Sequence, residues 1–224
     1  MKELQGKVAL VTGGGRGIGR AVALALAARG VRVVVTGRGE KALGETVGEI
    51  AYGGGRARHL AGDVRDSGHL TAAVERAVSV FGGLDIVVAA AQTCGPADAG
   101  EAARAEAIFA TNLMAVHSTF RTALPRMRAP GTLVATGGCA GHPDEAAVAC
   151  RASQAGLVGL VQALAVEVAP KRITCNAVVP AAGSRGEHVE PQQIADLVVL
   201  LCSSAMRGVT GQAISVATPA AVIG

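Results

Sequence analysis

The apolar run Val8-Ala-Leu-Val-Thr12 breaks into Gly13-Gly14-Gly15-Arg16-Gly17-Ile18-Gly19 and then into a helical apolar pattern. No other feature narrows the fold as far. Glycines at these spacings allow a tight turn and let the backbone lie against a pyrophosphate. A helix opening at Gly17 aims its unpaired N–H groups and positive dipole end at the same point. The preceding strand and following helix raise the pattern above a lone glycine cluster. As a dinucleotide site, the turn assigns Gly13, Gly15, Arg16, Gly17, Ile18 and Gly19 to the cofactor. The competing reading is a glycine-rich turn kept for packing alone.

The rest of the chain alternates in the same way. Strands are expected at Val8–Thr12, Val31–Thr36, Ala57–Ala61, Ile86–Ala90, Thr132–Thr136, Ile173–Val179 and Ala213–Val216. Between them, helical periodicity covers Gly17–Ala28, Glu40–Ala51, Ser67–Phe81, Glu101–Met127, Ala146–Ala169 and Pro191–Ser203. Leu157, Leu160, Val161, Leu164 and Val168 show the spacing of a buried helix stripe. Such alternation builds βαβ units, hence an α/β fold with a seven-stranded parallel sheet in the order 3-2-1-4-5-6-7 flanked by helices. No linker or repeat divides the 224 residues, so one dinucleotide-binding domain over 1–224 is expected.

Composition removes several classes of function. Three Phe, one Tyr and no Trp leave no set of rings for a base-stacking nucleic-acid surface. The net charge of +4 comes from scattered arginines and suits solubility or an anionic cofactor. No apolar run is read as a membrane span, and Met1–Lys7 lacks the core of an export signal. Cys94, Cys139, Cys150, Cys175 and Cys202 form no CxxC pair, which fits free thiols in a reducing, cytoplasmic setting. His59, His69, His117 and His188 are dispersed without ligand spacing, so no metal site is expected.

The second strand runs into Gly37-Arg38. An acidic residue there accepts from a ribose hydroxyl, whereas an arginine suits a 2′-phosphate, so Arg38 with Arg16 favours NADP over NAD. A solvated arginine at a strand end is the alternative.

Together these residues resemble the short-chain dehydrogenase/reductase family, in its ketoacyl-reductase-like branch. The resemblance covers essentially the whole chain. It is carried by Thr12–Gly19, Asp63-Val64, Leu84-Asp85, Asn112, Ala155-Gly156-Leu157, the segment Lys171–Pro180 and Thr210-Gly211-Gln212. It implies NADP(H) as cofactor, with Asp63 and Val64 joining the glycine turn on the adenine side. It also implies a tyrosine and, four residues on, a lysine sharing one helix face, with a serine and an asparagine completing the proton-transfer set. In this register Cys150 takes the tyrosine position, Gln154 the lysine position and Gly138 the serine position. Asn112 alone remains of the four. The turn after the fourth strand carries Gln92 where the family has glycine, and Pro180-Ala181 replaces a Pro-Gly turn beside the nicotinamide. Ala182–Glu190 is too short for the family's substrate-covering helices. The resemblance therefore implies an intact adenine side and an eroded nicotinamide side.

Substitutes for the lost acid are few. Arg151 lies about 100° around the helix from Cys150 and is a poor proton donor. Cys150 reads first as a small apolar filler and second as a thiol at the mouth of the site, near Cys139 and Cys94. His142, followed by Asp144 and Glu145, offers acid–base chemistry without hydride transfer, or is a solvated loop. His142, Asn112 and Cys150 form the candidate catalytic set. Three functions stay open: a non-redox catalyst on a small carbonyl-bearing molecule, a silent subunit supporting an active relative in a homo- or hetero-oligomer, and a surviving NADP-dependent reductase.

Overall fold

A computed structural model describes residues 2–137, 144–180 and 189–217. Expectations resting on Gly138, Cys139, His142, Ala181, Ala182–His188 and the side chains of Asp144 and Glu145 lie outside the described residues.

Seven parallel strands form one sheet: β1 Val8–Thr12, β2 Arg32–Gly37, β3 Ala57–Ala61, β4 Ile86–Ala89, β5 Gly131–Thr136, β6 Ile173–Pro180 and β7 Ala213–Val216. Their order is β3-β2-β1-β4-β5-β6-β7, as the alternation predicts. The helices are α1 Gly17–Ala27, α2 Glu40–Tyr52, α3 Ser67–Phe81, α4 Glu101–Phe109, α5 Ala115–Ala123, α6 Asp144–Val168 and α7 Pro191–Leu201.

Strand alternation sorts the core into two layers. Ala9 and Val11 of β1 pack with Val33, Val35 and Val88 against the side that holds α1, α2 and α7. Val8 and Leu10 pack with Val34, Val87 and Leu133 against the side that holds α3, α5 and α6. Every residue of β1 is buried, which explains why its sequence is a continuous apolar run and not an alternation.

Two expectations change. The helix expected over Glu101–Met127 is interrupted: Ala110–Met114 forms a π turn between α4 and α5. That extra backbone residue shifts the facing of side chains beyond it and leaves Asn112 buried. Second, Val148–Lys171 is long and apolar enough to cross a membrane by length and composition, with a mean hydropathy of 1.4. The sequence reading found no such run. Here one face of the stretch, through Leu157, Val161, Leu164 and Val168, packs with β6 in the second layer, and a third of it is buried.

Buried polar groups anchor both ends of the central strands. At the N-terminal end, Asp85 accepts from the Val8 amide at 2.8 Å and pairs with Arg128. At the other end, the Thr12 hydroxyl, 1% exposed, accepts from the amides of Ala90 at 3.1 Å and Ala91 at 3.2 Å.

Replacing Thr12→Val keeps the shape and deletes the acceptor for two amides. Urea melts are expected to show a loss of about 1–3 kcal/mol. Thr71→Val, which removes an exposed hydroxyl on α3, should stay within about 0.5 kcal/mol of the parent. Equal effects would remove Thr12 from this structural role.

Candidate functional site

β1 and β4 are neighbours in the sheet, and their following helices lie on opposite faces, α1 with the first layer and α5 with the second. Chain order therefore reverses between them, and a crevice opens at their C-terminal ends. A cleft of about 810 Å³ occupies that position. The glycine turn forms its floor, Arg38 and Asp63 one end, and Gln92, Thr93 and Pro180 the other.

The turn is built by close approach. Gly13 has φ +69°, and a Cβ there would stand 2.7 Å from the Ala90 carbonyl oxygen. Gly19 does not line the cleft. A Cβ on Gly19 would stand 2.3 Å from the Gly13 carbonyl oxygen, so this glycine lets α1 pack onto its own turn. Gly17 is the reverse case: φ is +52° and no atom lies within 4 Å of a Cβ position, although the residue lines the cleft.

α1 starts there with its first amides uncapped. Arg16 stands at the N-cap without a side-chain cap bond, and the first turn carries no acidic residue. The unpaired N–H groups of a helix start need an acceptor. An open glycine cradle, an uncapped helix start and the arginines Arg16 and Arg38 on the same wall fit a phosphate-bearing dinucleotide. Gly13, Gly15, Arg16, Gly17, Ile18, Arg38, Asp63 and Val64 all face this cleft.

Asp63 is held firmly. Arg65 donates to it through Nε at 3.1 Å to each carboxylate oxygen and through a terminal nitrogen at 2.6 Å, and the Arg65 amide adds 2.9 Å to Oδ1. Hydrogen bonding from Arg65 is the main cause that lowers the Asp63 pKa to about 2, against burial acting the other way; Arg38 adds a smaller charge effect. Sequence reading missed Arg65. The i,i+2 spacing lies in the turn after β3, where no helix periodicity advertises a pairing.

At the other end, Asn112 is 3% exposed and bonds Thr93 twice: Nδ2 donates to the Thr93 carbonyl and Oδ1 accepts from its amide, both at 2.9 Å. It braces the loop after β4 from below. Gln92 Nε2 donates to the Thr136 carbonyl at 2.8 Å, so this side chain spans from the end of β4 to the end of β5.

Cys139 lies outside the described residues, which leaves Cys94 and Cys150 of the three thiols expected near the cleft. Cys150 is 3% exposed and packs with Ile108 and Ala149, and neither it nor Cys94 lines the cleft. Burial pushes the Cys175 and Cys202 thiols up to about 12. Tyr52 is 96% exposed at the end of α2. Among the described residues no cluster of three or more His, Cys, Asp or Glu could hold a metal.

Comparison with known proteins decides the family. Residues 7–189 match the short chain dehydrogenase family. The chain belongs to it. A hydroxynaphthalene reductase-like protein of Metarhizium guizhouense is 36% identical over 186 residues, covering 80% of this chain and 69% of that protein. A 7alpha-hydroxysteroid dehydrogenase of Clostridium sardiniense is 33% identical over 192 residues, covering 80% and 72%. Among solved structures, a short chain dehydrogenase from Burkholderia cenocepacia in complex with NADP superposes with a TM-score of 0.86 at 30% identity, covering 96% of this chain and 98% of that one. The short chain dehydrogenase family thus accounts for the sheet order and for the position of the cleft.

The Asp63 arrangement has a pH consequence. A carboxyl held at about 2 against an ordinary 3.8 adds stability that is complete above about pH 4 and is lost as pH falls toward 2. Asp63→Asn removes the contribution. The stability gap between parent and variant should therefore shrink between about pH 5 and about pH 2.5 in urea melts. A gap that widens on acidification would contradict the pairing.

Proposed function

We propose that this short chain dehydrogenase family member binds NADP(H) across the cleft and acts as a non-redox catalyst on a small carbonyl-bearing molecule. The cofactor half rests on the open Gly17 position, the uncapped start of α1, and Arg16 and Arg38 on one wall. The Burkholderia cenocepacia relative in complex with NADP supports it. Asp63 and Val64 flank the adenine end. Arg38 favours a cofactor that carries a 2′-phosphate.

One observation carries the catalytic half. Cys150, which the family register places at the tyrosine position, is packed against Ile108 and Ala149, and the single tyrosine of the chain is at the surface. A bound nicotinamide supplies hydride, but carbonyl reduction also needs a proton donor at the oxygen. Neither Cys150 nor Tyr52 is placed to serve. Gln92 at the nicotinamide end supports the reading of an eroded half-site. Of the candidate catalytic set, Asn112 acts as a brace, Cys150 as packing, and His142 is the acid–base group of this proposal.

Two observations favour other readings. The relatives' names, a reductase-like protein and a hydroxysteroid dehydrogenase, favour a reductase working with substitute groups. Val148 and Val166, 75% and 79% exposed on α6, stand five helical turns apart on one face and favour a subunit that associates through that helix.

Calorimetric titration is expected to give NADPH at least about tenfold tighter than NADH, the value of a charge-assisted contact of about 1.5 kcal/mol or more. Binding of neither cofactor would refute the cofactor half. A panel of ketones with NADPH is expected to show no turnover. Turnover that survives Cys150→Ala would establish the reductase reading. His142→Ala should abolish non-redox product formation and leave the oligomeric state alone, whereas a silent subunit would be indifferent to it and would dissociate on Val166→Glu.

A further inference from the structure

Among the described residues, Asp63 is the only carboxylate lining the cleft, and it shares that lining with Arg16, Arg38 and Arg65. Both of its oxygens are engaged by Arg65. Arg38 lines the same cleft without a hydrogen bond to that carboxylate among the described residues, and adds a small charge effect on it. Arg38 is also the side chain that a 2′-phosphate would need.

We propose that Arg65 is a specificity-determining residue of the cleft: by engaging Asp63 it keeps that carboxylate from pairing with Arg38, and so leaves Arg38 for a 2′-phosphate. The inference rests on the proposed NADP(H) site and adds a residue to it that need not touch the ligand. Three features make the assignment specific. Arg65 offers a fork of donors to one carboxylate, the geometry in which a guanidinium is stronger than an ammonium. Its own amide holds Asp63 Oδ1 as well, so the pair is set by the turn after β3 and not by a loose surface encounter. Finally, Arg65 is 48% and Asp63 31% exposed at the side chain, so the carboxylate is accessible enough to reorient if it is released. Without Arg65, Asp63 would lie opposite Arg38 as an internal competitor for a phosphate. An acidic group at this end would repel a 2′-phosphate and accept from a free ribose hydroxyl, which shifts preference toward the unphosphorylated nucleotide.

Adenosine 2′,5′-bisphosphate and AMP probe this end of the cleft without a nicotinamide. Calorimetric titrations at low ionic strength, where surface charge is least screened, would compare the whole chain with Arg65→Gln, Asp63→Asn, and the two combined. Arg126→Ala serves as a control for the loss of one positive charge, because Arg126 pairs with Glu75 away from the cleft. The parent is expected to prefer the bisphosphate. Arg65→Gln should reduce that preference by about three- to fivefold, the size of an exposed ion-pair contact. Adding Asp63→Asn should restore it, and Arg126→Ala should leave it unchanged. Should Arg65→Gln fail to fold, Arg65→Lys keeps the charge and loses the fork, and it is expected to give a smaller loss in the same direction. An unchanged ratio, an equal weakening of both nucleotides, or a loss that Asp63→Asn does not repair would each overturn the proposal. A parent that discriminates between the two nucleotides but does not bind NADPH would sink the cofactor reading while leaving the role of Arg65 intact.

Discussion

The Thr12 hydroxyl accepts two backbone amides, those of Ala90 and Ala91, at the point where β1 and β4 end. The cleft depends on that contact. Beyond it the chain leaves β1 for one face of the sheet and, after β4, reaches α5 on the other. Backbone groups at a strand end that lack ladder partners must find others, and a single buried oxygen serves both amides here. Gly13 can then lie against Ala90 with no side chain between. The close approach leaves the open space above the turn, where Gly17 faces the cleft without contact and α1 begins without a cap.

The two ends of the cleft are held by different physics. At the Arg38 end the restraint is electrostatic: Arg65 grips Asp63, and among the described residues the lining carries three arginines and one carboxylate. At the other end it is a neutral amide brace. Asn112 matches the carbonyl and amide of Thr93 with its own amide and carbonyl, in a buried place where an unpaired polar group would be costly. The brace depends on the π turn at Ala110–Met114, which leaves Asn112 buried in the middle of an otherwise helical run. Gln92 closes the pattern by bridging to Thr136.

Much of this was legible in residue order. The alternation of apolar runs with helical stripes predicted all seven strands and their sheet order, because right-handed crossovers leave few ways to lay parallel strands side by side. The glycine turn located the cleft floor, and Arg38, Asp63 and Val64 were placed on its wall by motif. Three things were not legible. Gly19 was grouped with its neighbours as a ligand contact, and its close approach to the Gly13 carbonyl oxygen has no signature in sequence spacing. Cys150 read first as an apolar filler and second as a thiol at the mouth of the site, and residue order does not separate the two; the structure packs it against Ile108. Arg65 drew no notice, as its partner lies across a turn.

The sequence by itself determined the layer architecture, the strand order and the place of the glycine turn that floors the cleft. Those follow from periodicity and from backbone sterics, and both are local properties written directly in residue order. It also determined that the chain has one tyrosine, at position 52. Only the tertiary structure decided which of the turn's glycines face the cleft, that Asn112 spends its amide on Thr93, and that Asp63 is held by Arg65. Each of those depends on distances of a few ångströms between segments remote in sequence or turned back on themselves. Side-chain hydrogen bonds and close backbone contacts are decided at that scale, and no pattern along the chain encodes it.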